Sequence, residues 1–343
     1  MLEKMNRRRW IAVGLSIVVM VLYSLSTGLS QMINREDQVE KLTANFQELM
    51  AEEGLGEKVL EAGSSDKRIA VLPVEGTIIN MATSYPGLTE GYQHAQFIDS
   101  LYAATEDDTV KGILLKVNSP GGGVYESAEI HHHIEEIKKL SDKPIWTFMG
   151  NMAASGGYYI SAPTDHIIAS PETLTGSIGV IMSHTDYQEL YGKLGLKEEP
   201  FKSAPMKDIG AGYRDMTEEE RALMQGLVDG MYSRFIDVVA QGRGLTRDQA
   251  LALGDGRIFD GYQALEAGLV DEIGFYDEAL GRFESELGIK DPEVFQYTSS
   301  PLSSLFPLMN LRFGGDLEAS LFKKSIDQLQ GQGPRPLYLY GGE

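Results

Sequence analysis

No cysteine occurs among the 343 residues. That excludes disulfides, thiolate zinc sites, iron–sulfur clusters and a cysteine nucleophile, and it leaves the cellular compartment open. Positive charge is also scarce: 30 Lys and Arg stand against 50 Asp and Glu, a formal net charge of −20. The basic footprint of a nucleic-acid binder is therefore missing. There is no G-x-x-x-x-G-K-[ST] loop, and Gly254-Asp-Gly256 lacks the third glycine of a dinucleotide fingerprint. No H-E-x-x-H occurs. His131, His132 and His133 are consecutive on a predicted helix, where side chains diverge by about 100° each, so they read as a solvated face. No cofactor and no metal are expected. What is present is an acidic chain with 42% apolar and 9% aromatic residues, enough to build a core.

The N-terminus breaks the acidic pattern. Lys4, Arg7, Arg8 and Arg9 precede an uncharged run, Trp10 to Leu29. Twenty helical residues reach about 30 Å, the thickness of a bilayer's hydrocarbon core. The run exceeds a usual signal-peptide core, and no A-x-A cleavage site follows it. The expectation is an uncleaved, single-pass anchor over residues 10–30 in the cell membrane. The basic tip, 1–9, is expected in the cytoplasm and the rest of the chain outside it. That remainder is more acidic than the whole, so anionic head groups repel it.

Beyond the anchor, residues 31–67 read as an amphipathic helix followed by a linker. Val39, Leu42, Phe46, Leu49 and Met50 recur at near-helical spacing, and Ala62-Gly-Ser-Ser65 marks the linker. From residue 68 to about 290, strand-like runs such as Ile69–Leu72, Gly112–Val117 and Pro144–Phe148 alternate with helical ones. This predicts one α/β domain with a largely parallel sheet. Thr217-Glu-Glu-Glu220 is a capping box opening a long helix with Leu223, Met224, Leu227, Met231, Phe235 and Val239 on one face. That stripe reads as core or subunit interface. Residues 291–343 read as a polar, irregular extension ending in a short Leu337-Tyr-Leu-Tyr340.

Two glycine-rich turns follow predicted strands: Asn118-Ser-Pro-Gly-Gly-Gly123 and Asn151-Met-Ala-Ala-Ser-Gly-Gly157. Strand, glycine turn and helix together expose backbone N–H groups that can hold an oxyanion. Ser155 lies at the second turn, where a nucleophile is needed, although glycine-rich turns also serve plain steric ends. A serine needs a base. His166 beside Asp165 points to the opposite face of a strand, and His184 with Asp186 has no further local signal. A lysine can substitute in the serine–lysine form of the triad, provided burial lowers its free pKa of about 10.4 by about 3 units. Spacing alone does not choose among the lysines.

Together these stretches resemble the signal peptide peptidase A family, serine–lysine proteases of the Clp protease/crotonase superfamily. The matching runs are Val117–Val124, Ala153–Pro163, Leu174–Ile181, Lys202–Asp208, Gly256–Gly261 and Ala264–Asp271. The resemblance implies that Ser155 is the nucleophile, Lys207 the general base, and Ser177 the hydroxyl that orients the lysine amine. It implies oxyanion donors at Gly122 and Gly156, with Gly121 an alternative to the first. It further implies a Clp protease/crotonase-like domain behind one transmembrane helix, acting as an endopeptidase on cleaved signal peptides and other apolar segments. A homo-oligomer, plausibly an octamer, would build each site from neighbouring protomers. Two other readings stay open here: a crotonase-like acyl-CoA enzyme and a non-catalytic membrane-tethered scaffold. The C-terminal Tyr338-Leu-Tyr340 is a candidate internal substrate or plug.

Overall fold

The computed structural model describes residues 55–80, 91–298 and 337–339. The chain divides into two units, Met1–Gly54 and Leu55–Glu343. The first unit carries the expected anchor and amphipathic helix, and both lie outside the described residues. No helix among the described residues is long and apolar enough to cross a membrane.

The strands are β1 (Gly56–Glu61), β2 (Ser64–Glu75), β3 (Val110–Ser119), β4 (Gly121–Gly123), β5 (Ile145–Ala154), β6 (His166–Ala169), β7 (Leu174–Gly176), β8 (Ile258–Phe259), β9 (Glu272–Ile273), β10 (Pro292–Thr298) and β11 (Leu337–Leu339). The helices are α1 (His94–Glu106), α2 (Val124–Leu140), α3 (Gly156–Ser161), α4 (Gln188–Lys193), α5 (Glu218–Gly242), α6 (Arg247–Leu253), α7 (Gly261–Glu266) and α8 (Tyr276–Glu286), with a 3-10 turn at Pro205–Asp208.

One sheet runs β1-β10-β2-β3-β5-β6-β9. Along this path every pair is parallel except β1 with β10. The α/β fold with a mostly parallel sheet is therefore as the alternation predicts. β2 and β3 are buried on both faces, which explains their near-continuous apolar runs. Ala70, Leu72, Val74, Ile113, Leu115 and Val117 turn to the larger core, which α1 and α2 close with Phe97, Leu101, Ile130, Ile134 and Ile137. Ile69, Val71 and Leu114 point the other way, onto Ala279, Leu280 and Phe283 of α8.

Two sequence expectations need correction. Residues 56–61 and 64–67, expected within the linker, form β1 and the start of β2. β10, expected to lie in an irregular extension, pairs with both β1 and β2. The folded unit therefore extends beyond 68–290 at both ends. A proline opening β10 is tolerated because the first residue of a strand can do without its N–H.

β5 forks. Trp146–Met149 pair with β6, whereas Met152–Ala154 pair with β7, and β7 continues antiparallel into β8. The fork delivers the carboxyl end of β5 beside the carboxyl end of β7, where parallel sheets ordinarily place their sites.

Candidate active site

Ser155 ends β5 and caps α3, with φ 54° and ψ −114°. A residue with a Cβ avoids this region, and holding one there costs on the order of 1–3 kcal/mol. Two hydrogen bonds hold the elbow: Ser155 N–H donates to the Gly176 carbonyl, and Tyr159 N–H donates to the Ser155 carbonyl, both at 2.8 Å. The serine is buried at 1% exposure.

Ser177 follows β7 and is the second site serine with positive φ, 49°. Its N–H donates to the Arg257 carbonyl at 2.8 Å, and its side chain is half-buried. Thr175 supports the same turn by donating its hydroxyl to the Ala153 carbonyl at 2.7 Å.

The glycine pair predicted to hold an oxyanion converges. A Cβ built on Gly156 lies 3.1 Å from the Gly122 nitrogen, so the two backbones adjoin. As the first residue of α3, Gly156 has an N–H without an intrahelical acceptor. Gly122 must be glycine for another reason, since a Cβ there would overlap the Ile78 carbonyl. Ile78 N–H donates to Gly121 O and Gly123 N–H donates to Ile78 O, both at 2.8 Å. Neighbouring residues of a strand direct their polar groups to opposite sides. The Gly122 N–H therefore faces away from Ile78, toward β11. There Leu337, Tyr338 and Leu339 pair antiparallel with Gly123, Gly122 and Gly121. The segment Leu337–Leu339 of the same chain thus lies along the glycine strand.

Lys207 stands apart. It lies in the 3-10 turn with its side chain exposed, and among the described residues no hydrogen bond joins it to Ser155 or Ser177. The flanking segment is unusually open: α4 has no buried residue, and Phe201 is fully exposed, with Leu190, Leu194 and Leu196 also exposed. In the first half of α5, Leu223 and Leu227 are exposed as well, while Phe235 and Val239 enter the core. The predicted stripe therefore divides between core and surface.

The other histidines have different tasks. His166 stacks on Trp146, with ring centroids 4.4 Å apart. His184 contacts the Gly210 carbonyl at 3.1 Å. His131 packs against Tyr159 at 5.5 Å, and burial pushes its pKa down.

The profile described as Peptidase family S49 matches residues 137–290, a span that contains Ser155, Ser177 and Lys207. The profile described as Clp protease matches residues 85–173. A protein of Enterococcus faecium provisionally named signal peptide peptidase SppA is 41% identical over 98% of this chain and 100% of its own. The chain belongs to peptidase family S49. It is accordingly a serine peptidase. A provisionally named protease of Methanocaldococcus jannaschii is 38% identical over 62% of this chain and 68% of its own. Protease 4 of Haemophilus influenzae is 32% identical over 73% of this chain but only 41% of its own length. Among solved structures, a ClpP1 mutant of Listeria monocytogenes gives a TM-score of 0.39 at 17% identity, covering 61% of this chain and 94% of that one.

Within this S49 peptidase, sequence reasoning passed over two features. Ser127, in the first turns of α2, is fully buried, and its Oγ lies 2.6 Å from a Cβ built on Gly156. That hydroxyl has no hydrogen-bond partner among the described residues. The second is a charged cluster around Asp208 and Arg214, next to Lys207. Neither carries a motif, because both depend on residues brought together from separate elements.

Proposed function

We propose that the chain is a membrane-anchored serine endopeptidase that degrades cleaved signal peptides and other apolar segments through a Ser155–Lys207 dyad. The observation that carries this reading is the strained, buried Ser155 elbow with Gly122 and Gly156 converging beside it. In the neutral form, the Lys207 amine accepts the Ser155 hydroxyl proton as Oγ attacks a peptide carbonyl. The Gly122 and Gly156 N–H groups hold the resulting oxyanion, and the Ser177 hydroxyl orients the amine. The ammonium then protonates the leaving nitrogen, which releases the first product and leaves an acyl-serine. Lys207 next takes a proton from water as hydroxide adds to the ester; the bond to Ser155 Oγ then breaks, the acid product leaves, and Oγ takes the proton back from Lys207.

The substrate backbone would run antiparallel along β4, as β11 does. This mode supplies main-chain hydrogen bonds without demanding particular side chains, and pockets for alternate residues add selectivity. It suits a broad population of extended apolar peptides. The reading includes the anchor over residues 10–30, which would hold the catalytic unit near membrane-derived peptides, outside the cytoplasm.

The exposed position of Lys207 favours a site shared between copies. The apolar surface formed by Leu190, Leu194, Leu196, Phe201, Leu223 and Leu227 fits a second copy of this chain. Assembly as an octameric ring would bring Lys207 of one subunit to Ser155 of the next.

Covalent labelling by a serine-reactive phosphonate, read by mass spectrometry, tests the dyad. Label is expected on Ser155 in the wild type and is expected to be lost in Lys207→Ala. Peptide cleavage surviving in Ser155→Ala would sink the proposal. Mixed oligomers of Ser155→Ala and Lys207→Ala are expected to regain activity, because some interfaces then pair an intact serine with an intact lysine. No recovery in verified mixed oligomers would refute the shared site.

A further inference from the structure

Lys207 is followed directly by an acidic residue whose surroundings are unlike the rest of this open segment. The Asp208 side chain is only 9% exposed. It accepts hydrogen bonds from Lys202 Nζ at 2.7 Å, Tyr213 OH at 2.8 Å, and Arg214 Nε and Nη2 at 3.0 and 2.6 Å. Arg214 turns its other edge to Glu220, donating from Nη1 and Nη2 at 2.9 and 2.6 Å. Glu220, with its side chain 4% exposed, closes the capping box of α5 by accepting from Thr217 N–H at 2.9 Å. One guanidinium therefore bridges the lysine-bearing turn and the first turn of a 25-residue helix.

Such a buried ion network is a weak source of net stability, because desolvation offsets most of the attraction. Its geometric content is high, since a bidentate arginine fixes both distance and plane at each carboxylate. The Asp208 carboxylate is engaged by two cations, Lys202 and Arg214. The Arg214 and Lys202 contacts hold the Asp208 carboxyl well below the usual range, and Arg214 and Thr217 hold Glu220 down to about 2. The remaining group facing this cluster is the Tyr213 phenol, which burial, Asp208 and the nearby Glu198 push up.

We propose that Arg214 is a positioning residue for the general base: by holding Asp208 on one edge and Glu220 on the other, it fastens the Lys207–Asp208 turn to α5 and so sets where the Lys207 amine can reach. This inference rests on Lys207 being the base.

The test is the separate determination of kcat and KM for a fluorogenic peptide, measured on the full-length assembled enzyme. Arg214→Gln is expected to lower kcat about tenfold or more with little change in KM. Adding Asp208→Asn to Arg214→Gln is expected to lower kcat little further, because the anchor is already missing. Arg214→Lys keeps the charge but not the two-sided fork and is expected to retain partial kcat. Lys202→Gln, which leaves Glu220 and its arginine untouched, is expected to lower kcat by less. It serves if Arg214→Gln fails to assemble. A wild-type kcat in an assembled Arg214→Gln enzyme, or a change confined to KM, overturns the proposal. Activity in Lys207→Ala would instead overturn the dyad itself, so the two failures are distinguishable.

Discussion

Ser155 and Ser177 each sit one residue past a paired position, Ala154 with Gly176, and both leave the sheet with positive φ, 54° and 49°. The Ser155 N–H donates to the Gly176 carbonyl at 2.8 Å, so the turn bearing Ser177 also fixes the Ser155 backbone. Two strained serines share one hydrogen-bonded scaffold, and any movement of β7 is felt at both.

That strain has a measurable sign. Ser155→Gly is expected to abolish peptide cleavage while raising unfolding free energy by about 1 kcal/mol, because glycine enters this region without the Cβ penalty. Ser155→Ala is expected to be equally inactive without the gain. Chemical denaturation of the two variants checks the difference.

The adjoining glycines should tolerate no side chain. Gly156→Ala puts a methyl group 2.6 Å from Ser127 Oγ, and Gly122→Ala pushes one into the Ile78 carbonyl. Each is expected to reduce kcat about 100-fold or more through displaced oxyanion donors. Steady-state kinetics on folded oligomers measures this.

Removing residues 331–343 should uncover the glycine strand. With Leu337–Leu339 no longer paired to β4, cleavage of a short fluorogenic peptide is expected to rise several-fold at subsaturating concentration, since an intramolecular competitor acts at an effective concentration in the millimolar range. A synthetic peptide ending in this sequence is expected to inhibit the truncated enzyme competitively. Unchanged rates in the truncated enzyme would refute occupancy of the groove by the tail.

Acid should act on the α5 anchor through its carboxylates. Glu220 titrates near 4.5 when free and is held at about 2 in the fold, and Asp208 is lowered as well. A depressed folded-state pKa means the contribution to stability is complete above about pH 4.5 and is lost as pH falls toward 2. Protease sensitivity around residues 202–214 is therefore expected to appear in that window. Arg214→Gln should show it already at neutral pH. Limited proteolysis with mass spectrometry reads both.

The exposed apolar surface predicts a coupled loss. Phe201→Ser combined with Leu194→Ser is expected to reduce oligomer size and activity together, as measured by light scattering and peptide cleavage. An active monomer would contradict a site completed by a second copy.

Much of this was legible in the chain. The buried strands β2 and β3 announce themselves because both faces are covered and the apolar runs are nearly continuous. The capping box at Thr217 and Glu220 specifies the start of α5 locally, and the structure has both of its hydrogen bonds. β1 was not legible. Gly56-Glu-Lys-Val-Leu-Glu61 is almost wholly exposed, so its strand character comes from pairing with β10 rather than from any alternation. At the site, the glycine turns marked Ser155, but backbone strain, the Gly122–Gly156 approach and the Arg214 bridge are properties of assembled elements. The two carboxylates bound by Arg214 lie six residues away on either side, a spacing that belongs to no local periodicity.

The fork in β5 separates two kinds of change. Substitutions in β6 and β9 load only the first half of that strand, so drift there can be absorbed before it reaches the site. Those in β7 and β8 act on the last three residues before Ser155, with no intervening slack. Directed variation of the β7–β8 pair is thus the economical route to altered turnover, whereas variation of β6 and β9 is the place to seek stability at constant activity.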